Sequence, residues 1–366
     1  MKPLGQLLAT RLQREWYSKG SQAPGRTTSQ APGKTWPLLS LALLPLSLLY
    51  RLLNSLRNAL YRLGLLRAET LPVPVVVVGN WIVGGAGKTP TTLALLALCQ
   101  QMGLRAGVIS RGYGRAEDEV ALVTRSSSAA AVGDEPLLIH LRSSVPVAVG
   151  RDRVAAARAL LNAHPELQLL ISDDGLQHLR LPRALAILVF DERGIGNGQL
   201  LPSGPLRQPA AAAPRSNEIV LYNAGASSTA LPGFLAQRRL SGAVELSDWW
   251  AGQPATPQAL QALRALPADQ LLAAAGMAQP QRFFDMLSAQ GLRFNTLPLA
   301  DHFDFAALPW PASTRHVLVT EKDAIKLDPA RCGATQVWVV ALDFCPEPAF
   351  TQAVQARLTA LGLRPH

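Results

Sequence analysis

Cysteine is scarce in this 366-residue chain: Cys99, Cys332 and Cys345 are odd in number and show no Cys-x-x-Cys spacing. That excludes a disulfide framework or a zinc site as the organising principle and points to a reducing compartment. Charge is scarce too, at 16% against 48% hydrophobic residues, which excludes a disordered chain and departs from an ordinary, highly polar soluble enzyme. Acidic residues are scarcest at the start. Residues 1–70 hold ten Lys or Arg but only Glu15 and Glu69 as acids, so this stretch carries +8 of the net +10. A nucleic-acid binder is expected to spread its basic patch over the folded domain. Here the excess flanks an apolar run, which suits anionic lipid headgroups and argues against nucleic acid. A long hydrophobic span is also lacking. The uncharged stretch Thr35–Tyr50 contains Pro37 and Pro45 and is shorter than the roughly 20 residues that cross a bilayer perpendicularly.

What is present reads as four stretches. Residues 1–34 are expected to be a flexible extension, because 20–34 is rich in Gly, Ser, Pro and Thr and repeats QAPG at 22–25 and 30–33. Residues 35–66 are expected to form a membrane-anchoring helical segment. Arg51, Arg57 and Arg62 interleave there with Leu52, Leu53, Leu56, Leu60 and Leu63, the pattern of a helix lying in the interface. A secretory signal would need a small-residue cleavage site where the chain has YRLLNSLRN; a helix packed on the protein's own core is the other competing reading.

From Leu71 short β-branched runs alternate with Ala/Leu-rich helical stretches. Strands are expected at 73–79, 106–110, 167–172, 185–190, 218–222, 316–320 and 337–342. Continuous apolar runs mark strands buried on both faces of a parallel sheet, hence a doubly wound α/β fold. The length allows about two domains: a P-loop domain over 67–228 and a second, smaller α/β lobe over 229–366.

The strongest motif is Gly84-Gly85-Ala86-Gly87-Lys88-Thr89, directly after one expected strand and before a helix. Glycines let backbone N–H groups turn around phosphate oxygens, and the helix N-terminus adds its positive dipole. Lys88 is expected at the β and γ phosphates and the Thr89 hydroxyl at Mg²⁺. The strict P-loop pattern has Gly where this chain has Ile82. The second motif, LLISDDGLQH, puts Asp173 and Asp174 at the carboxyl end of a strand, where open α/β sheets bind ligands and where an aspartate supports the metal. Alone it also reads as an Asp-Gly turn. Three weaker clusters follow: Arg111 in SRGYG, Asp134 and Glu135 before Pro136, and His302 in ADHFDF. A glycine turn, helix capping and a structural histidine are their bland alternatives.

Together these residues resemble the tetraacyldisaccharide 4′-kinase (lipid A 4′-kinase) family of Gram-negative bacteria. The similarity runs from about Leu46 to Leu327 and is carried by PLSLLYRLL, VPVVVVGN, VGGAGKTP, SRGYGR, VGDEPLL, DDGLQH, GNGQLLPSGPLR, ADHFDF and VTEKDAIKL. The resemblance implies ATP and Mg²⁺ as cofactors and a phosphate loop over Ile82, Val83, Gly84, Gly85, Ala86, Gly87, Lys88 and Thr89. It implies an Asp134–His302 dyad that activates a sugar hydroxyl, with Lys88 and Asp174 also in catalysis. Thr89, Asp173 and Glu135 are the implied metal ligands, and Arg111 and Tyr113 are expected at the substrate. The residues after His302 are Phe-Asp-Phe, so His302 alone is available for the dyad, which is expected to form across a cleft between the two lobes. The implied substrate is a lipid in the inner membrane, reached from its cytoplasmic face; no nucleic acid and no obligate protein partner is implied. The main alternative is a membrane-associated P-loop GTPase or ATPase switch in protein targeting, for which Thr320-Glu321-Lys322-Asp323 has the wrong spacing as a guanine-reading loop.

Overall fold

The computed structural model describes residues 4–17, 38–115, 117–277 and 279–364. In chain order these begin with α1 (Leu4–Tyr17), α2 (Leu38–Ala42), α3 (Leu44–Arg62), β1 (Val75–Gly79), α4 (Lys88–Gln101) and β2 (Ala106–Ser110). Next come β3 (Ala121–Val123), α5 (Ala129–Val132), α6 (Asp134–Ser143), β4 (Val147–Val149), α7 (Arg153–Ala163), β5 (Leu169–Asp173), β6 (Leu185–Asp191) and β7 (Glu218–Asn223). The remainder holds β8 (Phe234–Glu245), α8 (Leu246–Trp250), α9 (Pro257–Leu263), β9 (Leu271–Ala275), α10 (Pro280–Ala289), β10 (Asn295–Pro298), β11 (His316–Thr320), α11 (Glu321–Ala324), β12 (Gln336–Pro346) and α12 (Pro348–Ala360).

The chain folds into two compact units, and they are not successive. The first comprises residues 1–111, 152–237 and 346–366; the second comprises 112–151 and 238–345. The sequence suggested a division near residue 228, but 112–151 leaves the first stretch and α12 leaves the second. Local composition carries no mark of such an exchange.

In the first unit, parallel strands run in the order β7-β6-β1-β5-β2, with Val77 level with Ser172 on one side and Ala186 on the other. β1, β2, β5 and β6 are buried throughout, as their unbroken apolar runs demand. Chain order reverses around β1, so the carboxyl ends of β1, β5 and β6 frame a switch point. In the second unit β10, β9, β11 and β12 are parallel. Phe283, Phe284 and Leu287 of α10 and Leu260 and Leu263 of α9 pack with Leu271, Ala273 and Leu318 to make its core.

Residues 4–17 are helical, which differs from the flexible extension expected over 1–34; LGQLLATRLQREWY has one glycine, no proline and Trp16 buried. The QAPG repeats lie outside the described residues, as do Thr35, Trp36 and Pro37. α3 is turned inside out. Its polar residues face the protein: the Ser47 hydroxyl donates to Leu200 O (2.9 Å), Tyr50 to Arg207 O (3.0 Å) and Arg57 to Gln177 O (3.2 Å). Its leucines face outward, with Leu46, Leu48, Leu49, Leu52, Leu53 and Leu56 all more than half exposed. That arrangement removes the reading in which this helix packs its apolar face on the protein's own core. No helix among the described residues is long and apolar enough to cross a membrane.

Candidate active site

The glycine segment forms a loop between β1 and α4, with Gly84 (φ 88°) and Gly87 (φ 97°) in the left-handed region that side chains disfavour. Gly87 caps α4, so Lys88 and Thr89 open the helix and both are buried. Three successive loop carbonyls are held by side chains. Asn80 Nδ2 donates to Gly84 O (3.1 Å), Arg193 Nη2 to Gly85 O (2.6 Å) and Asn223 Nδ2 to Ala86 O (3.0 Å). C=O and N–H point in opposite directions across a trans peptide, so holding these carbonyls turns the N–H groups of Gly85, Ala86 and Gly87 the other way. A row of oriented N–H groups at a helix N-terminus is an anion site. Ile82 is fully buried and bridged to Leu206, and the Val83 N–H donates to Pro205 O at 2.9 Å. These two positions anchor the loop, and the glycine turn proper starts at Gly84.

Lys88 Nζ lies 3.4 Å from Gly84 O and 3.8 Å from Asp174 Oδ2. Asp174, at the end of β5, is one of only four non-glycine residues among those described with positive φ, a conformation that costs energy and clusters at functional sites. Arg207 Nη2 reaches its Oδ1 at 2.8 Å and also the Asn80 side chain. Burial alone would push the Asp174 carboxyl up; Lys88 and Arg207 outweigh it and hold the group below the ordinary carboxylate value, so it is an anion at neutral pH. Asp173 is 1% exposed and accepts from the Thr92 hydroxyl at 3.2 Å. Burial, with Arg153 next, lowers the His178 imidazole, the last residue of DDGLQH. Arg111 is the exposed last residue of this unit's first stretch, and its charge acts on buried Arg153.

In the second unit His302 Nδ1 lies 3.0 Å from Asp134 Oδ2. Both belong to the same unit, so their meeting is not one across a cleft between lobes. Asp134 opens α6 after Gly133 (φ 92°). A Cβ on Gly133 would stand 3.0 Å from Gly112 Cα: the glycines of SRGYG and VGDEP touch backbone to backbone. That contact brings Tyr113 near the dyad, its ring 6.1 Å from the His302 ring. Lys326 Nζ lies 3.3 Å from Asp134 Oδ2 and donates to Phe303 O at 2.8 Å. Lys322 Nζ lies 3.4 Å from His302 Nε2. An ammonium only donates, so Lys322 fits an imidazole whose Nε2 accepts and whose Nδ1–H donates to Asp134. His302 itself sits at φ 59°.

Glu135 lies on α6 in this second unit, whereas Thr89 and Asp173 belong to the first. Among the described residues no group of three or more His, Cys, Asp or Glu converges as a metal site. Thr89, Asp173 and Asp174 offer a hydroxyl and carboxylates, hard oxygen donors that fit Mg²⁺, which is usually bound by one or two carboxylates plus phosphate oxygens. The guanine-reading alternative for Thr320–Asp323 fails on geometry. Asp323 is fully buried, accepting from Thr320 Oγ1 (2.6 Å) and the Gly276 N–H (3.1 Å), and burial raises its carboxyl, so it cannot read a base. Asn80, Arg193, Arg207, Asn223 and Lys326 were not singled out from the sequence. Four of them leave a signal nonetheless: Asn80, Arg193 and Asn223 stand at or just after the carboxyl ends of β1, β6 and β7, and Lys326 follows TEKDA.

Comparison with known proteins gives the family and the fold. A family model described as tetraacyldisaccharide-1-P 4'-kinase matches residues 39–359. A tetraacyldisaccharide 4'-kinase of Leptothrix cholodnii is 51% identical over 357 residues, 96% of this chain and 97% of that protein. One of Methylibium petroleiphilum is 52% identical over 328 residues, 88% and 91% of the two chains. A crystal structure of LpxK from Aquifex aeolicus, described as an "apo" form in complex with ATP, superposes with a TM-score of 0.72 at 27% identity, covering 88% of this chain and 99% of that one. The chain belongs to the tetraacyldisaccharide-1-P 4'-kinase family.

Proposed function

We propose that this protein transfers the γ-phosphoryl group of ATP to the 4′-hydroxyl of a tetraacylated glucosamine disaccharide 1-phosphate, working on the cytoplasmic face of the bacterial inner membrane. The observation that carries the reading is the phosphate loop, whose carbonyls at 84, 85 and 86 are each held by a side chain at the start of α4. When bound, ATP with Mg²⁺ supplies an electrophilic phosphoryl group. Lys88 and the loop N–H groups would offset its charge, and Thr89 with Asp173 or Asp174 would hold the metal. Asp134 takes the acceptor hydroxyl's proton. Its Oδ2 is engaged by His302 and Lys326, which leaves Oδ1 for the substrate hydroxyl, within reach of a general base. Arg111 and Tyr113 are assigned to the substrate. The outward leucines of α3, flanked by Arg51 and Arg62, support docking at the bilayer surface, where the acyl chains of such a substrate reside.

The test is transfer of label from γ-labelled ATP to the purified disaccharide acceptor. Wild type phosphorylates it, and Lys88→Ala loses about 10³-fold in turnover. Wild-type hydrolysis of ATP with no labelled lipid, or transfer by Lys88→Ala at the wild-type rate, rejects the reading.

A further inference from the structure

α1 lies outside residues 39–359 that the family model matches, yet it reaches the phosphate loop through one side chain. Its last residue, Tyr17, lies under the Arg193 guanidinium, with Cζ 5.2 Å from the ring centroid. Arg193 Nε donates to both oxygens of Asp191 at 3.0 Å, and Nη2 donates to Gly85 O at 2.6 Å. A guanidinium is planar, so its in-plane partners aim it but do not limit its tilt; an aromatic face does. α1 is itself fixed in place. Glu15 accepts from the Ser40 N–H (3.2 Å) and hydroxyl (3.0 Å), and Trp16 is buried. A Cβ on Gly196 would stand 2.9 Å from the Trp16 carbonyl, so the end of α1 lies directly on the 193–196 turn.

We infer that Tyr17 is a positioning residue for nucleotide binding: it holds Arg193 against the Gly85 carbonyl and so fixes the direction of the Ala86 N–H in the phosphate loop. The chain of contacts is Tyr17 ring, Arg193, Gly85 carbonyl, and then, across one rigid peptide, the Ala86 N–H. The inference rests on the ATP reading above. It gives α1 a task in the chemistry rather than in folding alone.

Equilibrium binding of ATP·Mg²⁺ to the full chain, alongside steady-state kinetics, tests it. Tyr17→Ala and Tyr17→Leu, the second keeping apolar volume, raise the ATP Kd and KM about three- to tenfold, the scale of one cation–π contact. The turnover number and the KM for the lipid acceptor stay within about twofold, a split that general loss of stability does not produce. Tyr17→Phe keeps the ring and restores ATP affinity. Arg193→Gln raises the Kd by itself, and adding Tyr17→Ala to it costs nothing more, because the ring acts through the guanidinium. Wild-type ATP affinity in Tyr17→Ala and Tyr17→Leu overturns the inference, as does full additivity in the double variant. If wild type and Lys88→Ala bind ATP equally, the phosphate-loop reading has failed, and the inference with it.

Discussion

Asp134 meets two donors through one oxygen, since both His302 and Lys326 approach Oδ2. A carboxylate held in this way keeps a fixed orientation, and the imidazole beside it keeps one tautomer. If the three act as one unit, their contributions are not additive. Asp134→Ala and His302→Ala are each expected to lower turnover by about 10²-fold or more while ATP affinity changes little. The double variant is then expected to fall barely below the worse single one. Rate losses that multiply would show two independent residues and remove the dyad. At this scale the sequence was legible where a motif was dense. Lys88 with its glycines, and Asp134 with His302, stood out by residue type and resemblance. Asn80, Arg193 and Asn223 did not, because each is a solitary polar residue whose partner is a backbone carbonyl, four residues on for Asn80 and far away in sequence for the other two. Only the rule that ligands bind at the carboxyl ends of parallel strands would have gathered them.

α3 shows the same contrast at the level of an element. Its leucine-rich pattern with interleaved arginines was legible as amphipathic, but periodicity alone does not say which face turns inward. The hydrogen bonds of Ser47, Tyr50 and Arg57 do. Exposed leucines on this scale mark a surface that meets another apolar phase. Replacing Leu48, Leu52 and Leu56, all outside the protein's core, by Gln is expected to abolish most binding to anionic vesicles, because each removes about 1–2 kcal/mol of apolar burial. Thermal stability and phosphorylation of detergent-dispersed acceptor should hardly change. Sedimentation with vesicles measures the first, and a melt and an assay the others. Binding by the triple variant at the wild-type level would show that arginines alone attach the protein, and moderate salt would then release it completely. Strands followed a similar logic. β1, β5 and β6 were readable from unbroken Val, Ile and Leu runs, whereas β9 (LLAAA) and the long β8, which carries Arg238, Arg239 and Ser241, lack that signature. Alanine-rich and alternating stretches read as helix or loop until a neighbouring strand claims them.

For the molecule as a whole, the arrangement of the chain matters more than any one motif. It crosses from one unit to the other after residues 111, 151, 237 and 345, so neither unit is a continuous piece of sequence. α12, the last helix, belongs to the unit that holds the phosphate loop. Its Phe350, Val354 and Leu358 are buried, and the Phe350 ring meets Phe234 edge-on at 6.0 Å. Burying three such side chains is worth roughly 5–8 kcal/mol, comparable with the whole stability of a domain, about 5–15 kcal/mol. The contiguous stretch 67–228, the domain that composition suggested, lacks α12 and Phe234 and carries residues 112–151 that pack elsewhere. A fragment of 67–228 is therefore expected to show no cooperative unfolding transition in urea and little protection of β1 and β6 amides from hydrogen exchange. The chain from 38 to 364 should show both. A cooperative melt of the short fragment, with β1 and β6 protected as in the full chain, would mean that the sheet holds without α12. The buried face that α12 covers would then contribute far less than its area implies.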